Sequence, residues 1–227
     1  MQDSRRMTED IESLYPEVSE HGSLAAALNA MCGRPDDWSF SNPSPGRLHA
    51  RAQHDDSMMS VLAGAGRRAF VLDFARRGKG VAQGTTPDLA AVRGVAEAWL
   101  GGMPLRELKS QWPFVEYTEV QEVYASGNAA DLIEAYWRTL LREVSPGLHS
   151  IVTEAHEQPR LRAMFPMESH NRFRVVSDLG KPWDTPYIRL KHPEGFELVS
   201  AGQAGEILAE GDARTVIGAY VRALRRE

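Results

Sequence analysis

The sequence predicts an α+β protein of two related antiparallel four-stranded sheet units, each closed by a helix, with a helical insert between them. Three observations carry this expectation. Asp88-Leu89 through Trp99-Leu100 recurs 124 residues on as Asp212-Ala213 through Ala223-Leu224, with Asp, Val, Gly and Leu in matching places. Upstream of each copy, short alternating segments are joined by Gly-rich turns, the pattern of half-buried strands. Between the two lies a stretch with the 3.6-residue period of an amphipathic helix. The organisation expected is 1–102 for N-terminal helices plus the first unit, 103–147 for the insert and 148–227 for the second unit, packed as one domain or two. Asp in a first turn and Leu on a buried face are also ordinary helix grammar, so the repeat is read for strands and closing helix only.

Residues 7–15 (Met7, Ile11, Leu14) and 23–32 (Leu24, Ala27, Leu28, Met31) carry helical spacing, with Ser23 as N-cap and Gly33 as stop. Arg34 to Gly46 reads as a loop whose Trp38 and Phe40 plug a groove. The expected strands of the first unit are Arg47–Gln53, Met58–Ala63, Arg68–Arg76 and Gly80–Gln83, turning at Asp55-Asp56, Gly64-Ala65-Gly66 and Arg77-Gly78-Lys79. A helix over Pro87–Leu100 follows, with Thr86 as N-cap and Gly101-Gly102 as stop. In the insert, Leu132, Ile133, Tyr136, Trp137, Leu140, Leu141 and Val144 line one face of a helix over Asp131–Val144. Leu148–Glu157 continues as helix, and Pro159–Phe165 as a Pro-initiated turn. The matching strands are Arg172–Ser177, Tyr187–Lys191, Phe196–Ala201 and Glu206–Ala209, with turns at 193–195 and 202–205, before a helix over Asp212–Arg225.

Composition narrows the class. With 227 residues and 42% hydrophobic content the chain can bury a full core. The single Cys32 excludes a disulfide scaffold and reads as a small buried hydrophobe. Met1-Gln2-Asp3-Ser4-Arg5-Arg6 leads into an acidic stretch, and no segment reaches the roughly 18 apolar residues of a membrane span, so a cytoplasmic protein without a membrane partner is expected. A net charge of −5, with 22 Arg and 4 Lys scattered singly or in pairs, argues against nucleic acid as a partner. No Cys pair, HxxxH, HExxH, GxSxG or Walker loop occurs, so neither a metal nor a cofactor is expected.

Two constellations hold candidate chemistry. In His49-x-Arg51-x-x-His54-Asp55-Asp56, alternation sets His49 and Arg51 on one strand face and delivers His54 with two carboxylates to a turn, where a carboxylate-backed imidazole is a usable general base. The competing reading is a solvated strand face ending in an acidic turn. In Glu168-Ser169-His170-Asn171-Arg172-x-Arg174, two Arg at a strand entrance suit an anionic group, and Trp183 in the Pro-bounded loop 181–186 suits a cover. Paired surface Arg bridging acidic neighbours is the alternative. The candidate catalytic residues are therefore His49, His54 and His170, and the candidate ligand contacts Arg51, Asp55, Arg172, Arg174 and Trp183, expected to border one pocket.

At Gly84-Thr85-Thr86-x-Asp88-Leu89, Trp112-Pro113-Phe114-Val115 and Pro159-Arg160-Leu161-Arg162-x-x-Phe165-Pro166-x-x-Ser169-His170, the chain resembles a family of uncharacterised actinobacterial proteins. That family carries the label "natural product biosynthesis protein" and a domain of unknown function, and the likeness runs from about Tyr15 to the C-terminus. It implies specialised metabolism in a GC-rich bacterium, consistent with the Arg excess, and supplies no catalytic residues. The expected function is a small-molecule-binding accessory or cofactor-independent tailoring protein, enzymatic activity being left open. The alternative is a non-enzymatic protein-interaction module of immunity or scaffold type, and a purely structural role is the third reading.

Overall fold

The computed structural model describes residues 13–31, 37–43, 46–191, 194–201 and 205–224. It is α+β, and the chain divides into two compact units, residues 1–127 and 128–227, each with its own hydrophobic core. The division falls inside the 103–147 segment. Each unit holds an antiparallel sheet of five strands, one more than expected.

In the first unit, Pro at the first turn starts α1 (Pro16–His21), and the Ser23 hydroxyl accepts from the Ala26 amide to start α2 (Leu24–Ala30). Of the helix expected across 7–15, Ser13 and Leu14 are helical before Pro16 starts a new one, and residues 7–12 lie outside the described residues. So do Cys32 and the expected stop at Gly33. A meander follows of β1 (His49–His54), β2 (Ser57–Ala63), β3 (Phe70–Arg76) and β4 (Lys79–Thr86). Arg77 and Gly78 both have positive φ between the paired Arg76 and Lys79, the two-residue turn that matches the twist of a hairpin. The closing helix, α3 (Leu89–Leu100), is capped by Asp88, whose carboxylate accepts from Ala90; Thr86, expected to cap it, instead accepts from the Asp88 amide through its hydroxyl. Next come α4 (Leu105–Gln111), β5 (Val115–Glu116) paired with β4, and α5 (Glu119–Ser126), started by a reciprocal Thr118/Gln121 capping box. None of these three was anticipated, because elements of seven, two and eight residues carry too few periods to register.

The core of this unit gathers Phe70, Leu72, Phe74, Val92, Val95 and Trp99 around the sheet face that α3 covers. Trp99 is fully buried, stacks edge-on against Phe74 at 5.8 Å and donates its indole N–H to the Met58 carbonyl at 3.0 Å. Phe40 is buried as expected, its backbone clasped by Asn29 through two hydrogen bonds of 2.8 and 2.9 Å.

The second unit opens with α6 (Ala129–Glu143), the amphipathic helix of the sequence pattern, then α7 (His149–His156) and the short α8 (Pro159–Arg162). The sheet follows in chain order: β6 (Phe165–Ser169), β7 (Arg172–Val176), β8 (Tyr187–Leu190), β9 (Phe196–Val199) and β10 (Ile207–Gly211). The chain closes on α9 (Ala213–Ala223), where the Asp212 carboxylate accepts from the Thr215 amide at 2.8 Å. Part of the turn at 202–205 and the last residues of the expected helix lie outside the described residues. Both units thus order four successive strands and an Asp-capped helix in the same way. The fifth strands differ: β5 joins the β4 edge after the helix, whereas β6 precedes β7. β6 escaped notice because Pro166 at its second position reads as a breaker, yet an edge strand tolerates a residue without N–H.

Trp137 is the hub of the second core. It is fully buried between His156 and Phe173 and donates to the Arg162 and Met164 carbonyls at 3.0 Å. Ile133, Leu140 and Leu141, each half-buried, pack against this core, and Leu132 is half-buried as well. From α9, the Tyr220 hydroxyl accepts from the Val175 amide at 3.0 Å and donates to the Pro186 carbonyl at 2.8 Å, fixing the helix to β7 and to the start of β8.

Trp137→Ala should cost about 3–5 kcal/mol in denaturant titration, the range for aromatic truncation in a core. The Asp212 carboxyl is held below the usual carboxylate range by the Thr215 hydrogen bonds. A lowered folded value means stability present above the unfolded pKa of about 3.9 and lost as the pH falls through the lower folded value. The melting-temperature gap between the native chain and Asp212→Ala should therefore be constant near neutral pH and shrink in acid.

Candidate functional site

The eight residues singled out in the sequence divide four and four between the units. In the first, β1 alternates as expected: Ala50 and Ala52 are buried, while Arg51 and Gln53 are exposed and His49 is half-buried. On that outer face His49 Nε2 stands 2.7 Å from Ser60 Oγ, an imidazole–hydroxyl spacing suited to proton transfer. Arg51 lies opposite Ser60, and Ser60 opposite Asp73, so one row across the strands reads Arg51, Ser60, Asp73, Gln83. Ser60 and Asp73 were missed because β2 and β3 were assigned without a register, and only the register reveals which residues are neighbours.

His54 does not join this row. Five residues beyond His49, it takes the opposite face by the two-residue period of a strand. There Nδ1 lies 3.1 Å from the Leu100 carbonyl at the end of α3, and 4.0 Å from the carboxylate of Asp55, whose side chain is exposed at a turn position of φ +50°. The expectation that His49 and His54 border one pocket is corrected by this alternation.

In the second unit, His170 and Asn171 are the two central residues of the β6–β7 hairpin, both at positive φ (53° and 57°), between the paired Ser169 and Arg172. His170 is exposed and its Nδ1 meets Ser169 Oγ at 2.8 Å, a local turn contact. Arg172 and Arg174 share one face of β7, as predicted, but are built into a stack. The Arg172 guanidinium lies over Tyr187 at 4.9 Å, and Arg174 lies between Tyr187 at 5.3 Å and Trp183 at 4.8 Å. Arg174 is buried by this cover, and desolvation draws its pKa down. Trp183 itself stays 67% exposed. The 181–186 loop, expected either to cover a site or to seal a core edge, sets Trp183 against an arginine of the sheet.

None of the eight residues lines a cleft of about 500 Å³ between the β9–β10 edge and the C-terminal half of α9. Its walls are mainly apolar, from Pro186, Leu198, Leu208, Ala209, Ala219 and Ala223. Ser200 and Arg222 are the polar side chains among them. The cleft has a cause legible in the repeat. At the 124-residue offset, Ala219 and Ala223 stand where α3 carries Val95 and Trp99. Both of those are fully buried in the first unit and fill the space between helix and sheet; two methyl groups leave it open in the second.

Among the described residues, no group of three or more His, Cys, Asp or Glu is placed to hold a metal ion, and no helix is long and apolar enough to cross a membrane. The fold and the cleft define a two-sheet α+β protein with a small-molecule-sized recess in its second unit. Residues 131–225, which take in most of α6, the whole second sheet and α9, match the model of a family of unknown function, DUF6193. No curated protein and no solved structure matches the chain.

The hairpin geometry yields a direct check. Asn171→Gly places at a left-handed position the residue with no Cβ clash, and should raise stability by up to about 1 kcal/mol in urea titration. A fall would assign the Asn171 side chain a contact beyond the turn.

Proposed function

We propose that this chain is a small-molecule-binding protein of a bacterial specialised-metabolite pathway, acting as an accessory or cofactor-independent tailoring component. The observation that carries the binding is that Ala219 and Ala223 line the cleft at the positions where the first copy of the helix, which shares its Asp, Val, Gly and Leu, carries Val95 and Trp99. The cleft, of about 500 Å³ with apolar side chains beside Ser200 and Arg222, falls in the size range of ligand sites. The metabolic setting rests on the resemblance drawn from the motifs. Binding rather than turnover is favoured, because His49, His54 and His170 do not line the recess.

A second reading, a protein-interaction module, is favoured by Leu62 and Val71, which pair across β2 and β3 and are 52% and 40% exposed. It predicts that Leu62→Glu with Val71→Glu abolishes a complex with another protein while leaving metabolite capture intact.

The binding reading is tested by incubating the full chain with a metabolite extract of its source, repurifying it and recording native mass spectra. A small molecule should accompany the native chain and be absent from Ala223→Trp, which restores the side chain of the first unit. Equal capture by both would reject the recess as the site, and capture by neither would reject the reading.

A further inference from the structure

We infer that the recess takes an aliphatic carboxylate, its chain lying between β10 and α9 and its head group at Arg222 and Ser200. This deepens the small-molecule reading and rests on it. The walls are branched or methyl side chains, with no aromatic ring on which a flat ligand would stack. Ala219 and Ala223, four residues apart, lie on one helix face, and opposite them Leu198 and Ala209 face the same space from the sheet. The space between them is bordered by short side chains and admits a polymethylene chain.

The polar groups fix the head. Arg222 lies one helical turn beyond Gly218, with Nη1 only 3.6 Å from where a Cβ on Gly218 would stand, so the guanidinium folds back along the helix over a residue with no side chain. Among the described residues no carboxylate lies within ion-pair distance of it. The Ser200 hydroxyl accepts from the Glu206 amide at 3.0 Å, which leaves its own proton to donate. The polar side chains of the lining thus offer donors and positive charge and no carboxylate, a set that matches an anion and repels a cation. A single guanidinium fork fits one planar carboxylate.

The test is isothermal titration of the full chain with hexanoate, octanoate, decanoate, decanol, decyltrimethylammonium, decyl phosphate and 2-naphthoate. In the carboxylate series each added methylene should tighten binding about 3- to 4-fold until the slot is full. Decanoate should exceed decanol by about 10-fold, and Arg222→Ala should erase that preference while keeping the dependence on chain length. Decyltrimethylammonium should not bind. Ala223→Trp should abolish binding of the series, and Ala219→Val, which restores the other residue of the first unit, should shorten the longest chain accepted should Ala223→Trp fail to fold. Decanol equal to decanoate, a preference that survives Arg222→Ala, tighter binding of decyl phosphate, or tighter binding of 2-naphthoate would each overturn the aliphatic carboxylate while leaving the recess as a ligand site. No binding by the series, with a metabolite still captured by the native chain and lost in Ala223→Trp, would do the same. Binding of the series unchanged by both helix variants would overturn the recess itself.

Discussion

An antiparallel sheet with one apolar face is stable in water only when something covers that face, and the rest of this molecule follows from how the cover is made. In both units an Asp-capped helix returns from the last strand of a four-strand run across its own sheet. In the first, the contact is closed by an indole that is also hydrogen-bonded to the sheet. In the second, the Tyr220 hydroxyl secures the helix at Val175 and Pro186, and the alanines before and after it, Ala219 and Ala223, border a recess. Anchoring and filling, combined in Trp99, are separated in α9, so the helix can hold its place without occupying the space beneath its far end.

Much of this was legible in the chain. Alternation along β1 and the turn at 55–56 were read correctly, and the turn expected at 77–79 is Arg77-Gly78 with Lys79 already in β4, because a half-buried strand writes its period into the sequence and tight turns need particular residues. The long helix of the second unit was equally clear, since fifteen residues give four turns of a polar and apolar pattern. β5 and β6 were not legible, being a two-residue edge and an edge strand containing Pro166. The cap of α3 was displaced by two residues, as Thr86 and Asp88 both flank Pro87 and side-chain chemistry alone does not choose between them.

The candidate site was less legible than the fold. Residue type pointed to His and Arg, but their roles depend on partners supplied by other strands. Arg174 reads as a surface cation and is a buried one, since Tyr187 and Trp183 close over it from positions nine or more residues away. His170 reads as a proton carrier and sits in a two-residue hairpin turn. The recess, by contrast, is marked by small residues, and alanine carries no chemistry to attract notice. Only comparison of the two copies, position by position, makes Ala223 informative, because it shows what stands at that place when the space is filled.

The separation of the cores has a consequence for the lifetime of the protein in a cell. The recess leaves Ala219 and Ala223 of α9 facing open space, and any deficit in packing there falls on the second unit, whose buried residues form their own cluster. On the binding reading, a bound small molecule would fill that space and stabilise the unit in proportion to the logarithm of its concentration above the dissociation constant. On the binding reading, resistance to proteolysis in residues 128–227 becomes a measure of how much metabolite the pathway holds, and the chain is depleted when its ligand is scarce.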